Sequence, residues 1–201
     1  MRSISKMWVC ARLSAGALLK DCRGIAATEF AVIVPIMLVM LFGTVEFSSG
    51  VAVDRKVTLV ARTLSDLTSQ GMTATDCTLS NSFAAATSIL YPYPATPSAS
   101  TITELLIDPT TLQAKVQWSR SATINAVGTV VLGTGHTQNT VITTIPAALA
   151  VGGTYLIWSE VSYLYKPTVG YVMANTGITL SDVAYTRPRQ SNSVPYTVAC
   201  S

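Results

Sequence analysis

The chain reads as an α+β protein: one long N-terminal helix packed on a small antiparallel β-sheet. Three features predict this. An uncharged apolar run, Phe30 to Gly43, follows Glu29 and is long enough to begin a membrane span. The positions Phe42, Glu46, Ser49, Val53, Val57, Val60, Leu64 and Leu67 follow at steps of four and three, which makes a stripe on one helix face. Beyond residue 72 the composition turns to Thr, Ser, Val, Ala and Tyr, and short strand-like runs stand between polar turns.

The elements follow in order. Residues 1–24 form a basic leader with no evident fold. It carries Arg2, Lys6, Arg12, Lys20 and Arg23 against Asp21, and the rest of the chain is close to neutral. The positive-inside rule therefore keeps this end in the cytoplasm and sends the remainder across. Residues 25–71 read as one helix, membrane-spanning over about 25–47, with Pro35 inside it and Gly71 placed for a left-handed cap. Asp54, Arg55, Lys56, Arg62, Ser65 and Ser69 read as the face opposite the stripe. The stripe can pack on the chain's own domain or on a coiled-coil partner. No small-residue cleavage site follows the apolar run, which favours a retained helix over a secretory signal.

Residues 72–201 read as an extracytoplasmic α+β domain. Leu79 to Leu90 suits a short helix stopped by Tyr91-Pro92-Tyr93-Pro94, and residues 94–101 read as a loop. Leu112 to Trp118, Val130 to Leu132, Val141 to Ile145, Tyr155 to Tyr165, Ile178 to Tyr185 and an edge strand Val194 to Ala199 are the strand candidates.

Of the four cysteines, Cys10 and Cys22 lie in the leader, where thiols stay reduced. Cys77 and Cys200 lie on the exported side and are expected to pair, with two separate buried thiols as the alternative.

Chemistry is sparse. The one histidine, His136, sits in Gly133-Thr134-Gly135-His136-Thr137 without a cluster of Cys or carboxylates, so it reads as a loop residue and no metal is implied. Neither a G-x-S-x-G elbow nor a phosphate loop occurs, so an enzyme is not expected and no cofactor is implied. Trp158, Glu160 and Ser162 alternate onto one strand face, where Glu160 is expected to meet Arg187 or Arg189; Trp158, Tyr163, Tyr165 and Tyr171 suit a core or interface. The near-neutral domain argues against nucleic-acid binding.

The most telling residue is Glu29, a carboxylate at the edge of the apolar run, where the centre of a membrane helix would charge roughly 2.5–3.5 kcal/mol for it. Arg23-Gly24, then Glu29-Phe30 and an apolar helix, resemble the N-terminus of type IV pilin-like proteins. The pattern is most similar to TadE-like minor pseudopilins of tight-adherence (Flp/Tad) pili. Phe42-Gly43-Thr44-Val45-Glu46-Phe47 and Glu160 to Pro167 also look TadE-like. Three features depart from the family pattern: Phe30 stands where Tad-type pilins commonly carry tyrosine, the leader is long for a major pilin, and the domain is too large for one.

The resemblance implies a pilin-like fold and an inner-membrane, single-pass protein with a periplasmic domain. It also implies a prepilin peptidase cutting after Gly24, so that Ile25 becomes the N-terminus and Glu29 the fifth residue. The implied partners are other pilins and pseudopilins and the Tad assembly platform, in pilus biogenesis, secretion and surface adhesion. Glu29 and Phe30 are the expected assembly contact, with Glu29 facing a neighbour's new amine. The alternative is a single-pass envelope protein whose ectodomain binds a ligand or partner, with the leader uncut.

Overall fold

The computed structural model describes residues 23–96, 98–125, 127–167 and 176–198. The leader up to Cys22, Tyr171 and Cys200 lie outside the described residues. The chain forms two compact units that divide between Val45 and Glu46. A single helix, α1 (Arg23–Ser69), runs through Pro35 and across that division. Its start and end lie within two residues of the expected 25–71.

In the first unit, α1 is exposed along nearly its whole described length. Ile25, Phe30, Val32, Ile36, Met37, Met40 and Leu41 all face outward. Across the described residues this is the one helix long and apolar enough to cross a membrane.

The second unit begins at Glu46. The remainder of α1 is followed by β1 (Ala74–Thr75), α2 (Asp76–Thr87) and a 3-10 turn, Ser88–Leu90. The long strands β2 (Ser98–Ile107) and β3 (Ala114–Ile124) come next, then the shorter β4 (Val130–Thr134) and β5 (Val141–Ile142). The strands β6 (Tyr155–Tyr165), β7 (Ile178–Thr186) and β8 (Tyr196–Thr197) complete the order. The main sheet is antiparallel throughout, in the order β4-β3-β2-β6-β7, with β5 beside the other end of β3.

Two expectations about the strands are corrected. Residues 98–101, read as loop, open the central strand β2. Their Ser and Thr side chains disguise a segment that β3 and β6 flank on both sides. The last strand is shorter than Val194 to Ala199 and is not an edge of the main sheet; it pairs in parallel with β1 as a separate two-stranded sheet.

α2 starts earlier than Leu79 because Thr75 and Thr78 form a reciprocal cap, each side chain bonding the other's backbone N–H. Gly71 is not in the left-handed conformation. Instead its N–H bonds the Thr68 carbonyl at 3.2 Å, a tight final turn that leaves no position needing positive φ.

The sheet carries a core on each face. On one face Val53, Val57, Val60, Ala61 and Leu64 of α1 pack with Ile102, Ile157, Val161, Tyr163 and Tyr165, together with Leu79, Phe83 and Leu90. From Val53 to Leu64 the stripe thus packs on the chain's own sheet, where each fully buried Val or Leu contributes roughly 1.5–3 kcal/mol.

Ser65 and Ser69 belong to this buried side too, correcting their assignment to the outer face. Ser65 Oγ lies 2.6 Å from Thr186 Oγ1, and Ser159 Oγ donates to the Ala61 carbonyl at 2.6 Å. Small hydroxyls there let helix and sheet approach closely while each of these hydroxyls keeps a partner. On the other face Leu105, Ile107, Val116, Leu156 and Trp158 are covered by Ile142, Ile145 and Leu149 of the segment before β6.

Candidate functional site

The expected assembly segment forms the first turns of α1. A side chain at Gly24 would meet open space, so nothing in the described protein crowds the peptide bond to Ile25. Ile25 and Phe30 are exposed, as is Glu29. Thr28 Oγ1 donates to the Ile25 carbonyl at 2.8 Å, closing the first turn locally. Ile25 and Glu29 stand four residues apart and therefore share a helix face. An amine created at Ile25 and the Glu29 carboxylate would lie on one side of the helix, about 6 Å apart along its axis at 1.5 Å per residue.

The second carboxylate of α1 is treated in the opposite way. Glu46 is buried, and the Tyr165 hydroxyl donates to its Oε2 at 3.1 Å. Burial and the neighbouring carboxylate push the Tyr165 phenol up to about 12. The contact joins two stretches whose sequences had separately looked TadE-like, Phe42 to Phe47 and Glu160 to Pro167. Tyr165→Phe removes a donor from a buried carboxylate and should cost about 1–3 kcal/mol in urea unfolding. Tyr155→Phe, at the far end of β6 and half-exposed, should stay within about 0.5 kcal/mol.

A third carboxylate, Glu104 in the middle of β2, was not foreseen as a site. The β2–β3 register shifts beside it, between Glu104 and Leu105, and sets Trp118 opposite. Trp118 Nε1 donates to Glu104 Oε2 at 3.0 Å and also reaches the Val194 carbonyl at 2.8 Å. The Val194 N–H donates to Glu104 Oε1 at 2.5 Å. Glu104 is thus the clasp that holds the segment before β8 against the sheet.

Burial pushes the Glu104 carboxyl above its ordinary 4.5, against the opposing pull of its two hydrogen bonds. The folded protein then holds that proton more tightly than the unfolded chain. This contribution is full below 4.5 and fades as pH rises through the raised value. In urea titrations the midpoint of Glu104→Gln should gain on the wild type as pH rises from about 4 to 8. A constant offset would contradict the assignment.

Next to the clasp, Arg120 pairs with Asp76 at 3.0 Å, Tyr196 donates to Asp76 Oδ1 at 2.7 Å, and the Arg120 guanidinium also bonds and overlies Tyr196. A groove of about 830 Å³ runs past Trp118, Arg120, His136 and Tyr196.

Glu160 meets neither Arg187 nor Arg189. Its partner is His136, whose Nε2 lies 2.5 Å from Glu160 Oε2, and Arg189 pairs with Asp66 instead. His136 is in a loop, as expected, yet it is held: its ring stacks on Trp158 at 5.0 Å, and Trp158 stacks in turn on Tyr185 at 6.2 Å. No local signal in the sequence reports such a long-range pair. Among the described residues no group of three or more His, Cys, Asp or Glu is placed to hold a metal.

The arrangement defines the class before any comparison does: an α+β protein whose exposed apolar helix continues into a helix-on-sheet domain. A family model described as TadE-like protein matches residues 24–65, so the similarity covers most of the helix and none of the sheet. The match begins at Gly24 and ends on the buried stripe. The TadE-like family belongs to pilus structure and assembly and is not known for catalysis. No curated protein and no solved structure matches the chain.

Proposed function

We propose that this chain is a minor pseudopilin of a Tad-type pilus, a subunit that helps start or complete the fibre and so contributes to surface adhesion. The observation that carries the reading is the TadE-like match opening at Gly24, on a helix whose first half is apolar and exposed. A prepilin peptidase cuts after Gly24 on the cytoplasmic face of the inner membrane. The new Ile25 amine of one subunit meets Glu29 of another among packed helices, with Phe30 beside it. An unpaired charge there costs several kcal/mol, so the pair acts as a register check on packing more than as net glue. Other pilins, pseudopilins and the assembly platform are the partners.

The domain is periplasmic, which suits a Cys77–Cys200 disulfide. Supporting it, Cys77 is a disulfide-bonded cysteine at the start of α2, next to the β1–β8 pairing that brings the C-terminal segment alongside. Losing the bridge should cost about 2–4 kcal/mol, read as an equal drop in stability for Cys77→Ser and Cys200→Ser. If only Cys77→Ser is destabilised, the pairing is wrong.

The assembly role is tested by deleting the coding sequence and counting surface fibres by electron microscopy. Loss or sharp reduction of fibres is expected, and normal fibres would contradict the role.

A further inference from the structure

The second unit has a directional build that locates one of its ends. Along α1, Glu46 meets Tyr165, Ala61 meets Ser159 and Ser65 meets Ile157. The helix climbs about 29 Å from Glu46 to Ser65 at 1.5 Å per residue. The strand β6 covers about 27 Å from Tyr165 back to Ile157 at 3.4 Å per residue. Helix and strand therefore run side by side in opposite directions, and the Tyr165 end of the sheet is the end where the apolar run joins the domain.

The neighbouring elements at that end follow from the register. Tyr165 pairs with Ile178, Tyr163 with Ser98, and Ala99 with Thr123, which leads into the β3–β4 turn. Tyr93 packs edge-on to Tyr165 at 6.4 Å, and the Tyr163 hydroxyl donates to the Pro94 carbonyl at 3.0 Å. Lys56 Nζ donates to the carbonyls of Ile89 and Tyr91 at 2.8 and 2.7 Å, fixing the Tyr91 loop to the helix.

The chemistry of this rim is distinctive. Val127 and Tyr91 are 88% and 81% exposed, more than any other large hydrophobic among the described residues. No carboxylate occurs in the described residues of 90–98, 123–130, 163–167 and 176–179, and Lys166 is their one charge. The opposite rim carries Asp108, Lys115, Arg187 and Arg189. The next exposed carboxylate up the helix, Asp54, stands about 12 Å beyond Glu46 at 1.5 Å per residue.

We propose that this rim rests in the headgroup layer of the phospholipid membrane, with Tyr91 and Val127 as the inserted tips and Lys166 toward the phosphates. Tyrosine concentrates at membrane–water interfaces because its ring is apolar and its hydroxyl is wet, and lysine reaches outward to the same level. A rim whose one carboxylate, Glu46, is buried avoids repulsion from anionic lipid. The inference rests on the membrane-spanning reading of α1 and adds a second lipid contact, which would fix the tilt of the domain before extraction into a fibre.

The test uses the full chain in vesicles of phosphatidylethanolamine and phosphatidylglycerol. Photoreactive p-benzoylphenylalanine replaces Met37, Tyr91, Val127 or Leu112 in turn, and lipid adducts are counted by mass spectrometry. Leu112 is exposed at the opposite rim and serves as the reference. Adducts several-fold above the Leu112 variant are expected for the other three. Label at 37 with only reference levels at 91 and 127 would overturn the proposal and leave the spanning helix standing. Adducts of 91 and 127 to protein in place of lipid would overturn it in favour of a subunit contact. Reference levels at 37 as well would remove the membrane reading itself.

Discussion

Glu29→Gln should leave the protein in the membrane and outside the fibre. The substitution keeps size and shape and removes only the charge, so the domain should unfold at the wild-type temperature. Incorporation fails because the Ile25 amine of the neighbouring subunit then sits among apolar helices with no counter-charge. Breaking one side of a buried ion pair costs about 3–5 kcal/mol, because the remaining charge stays buried. Each 1.4 kcal/mol is a factor of ten in an equilibrium, so incorporation should drop by two orders of magnitude or more. Immunoblots of sheared fibres against membranes read this directly. Equal incorporation of the wild type and Glu29→Gln would remove the pairing role. Phe30→Ala, which leaves the charge in place, should weaken incorporation far less.

The second large effect is in the domain. Leu64 is fully buried between α1 and the sheet, and Leu59 on the same helix is half-exposed. Leu64→Ala should cost about 2–5 kcal/mol, the range for emptying a packed leucine site. Leu59→Ala should stay within about 0.5 kcal/mol. The pair separates two uses of the stripe. A helix packed on its own sheet loses stability at Leu64 at any protein concentration. A coiled-coil stripe would lose it in a concentration-dependent way, because association is then part of stability. Thermal melts over a range of concentrations decide between them.

Much of this architecture is written in local pattern. β6 was legible to the residue because Tyr155 to Tyr165 combines aromatic and β-branched residues with a sharp stop at Lys166-Pro167. The stripe was legible because its spacing is periodic, and the match over residues 24–65 rests on that same local segment. What escaped depends on partners distant in sequence. The start of β2 reads as Ser/Thr-rich loop until strands on both sides supply its hydrogen bonds. Ser65 and Ser69 look like surface residues until Thr186 and the tight packing of helix on sheet absorb the Ser65 hydroxyl and bury both.

The carboxylates show the same limit. Glu29 stands out in the sequence because its surroundings are wrong for a charge. Glu104 is buried more deeply, yet nothing local marks it, since Trp118 and Val194 arrive from far along the chain; Glu46 is marked by its place on the helix stripe, but its partner Tyr165 is not. Glu160 stands out by its position but its partner does not, because arginine is the commoner counter-charge and the histidine loop is brought in by the β3–β4 hairpin and the turn beyond it. The cap at Thr75 was hidden by an unusual reciprocal residue, threonine at Thr78 where glutamate or glutamine is the usual signal.

Processing after Gly24 is the step on which the proposed role turns. Everything assigned to Glu29 depends on the amine which that cut creates. N-terminal sequencing of the protein purified from the membranes of cells that express the Tad machinery tests it directly. Ile25 is expected as the first residue, followed by Ala26, Ala27, Thr28 and Glu29. An N-terminus still carrying the basic leader would contradict it.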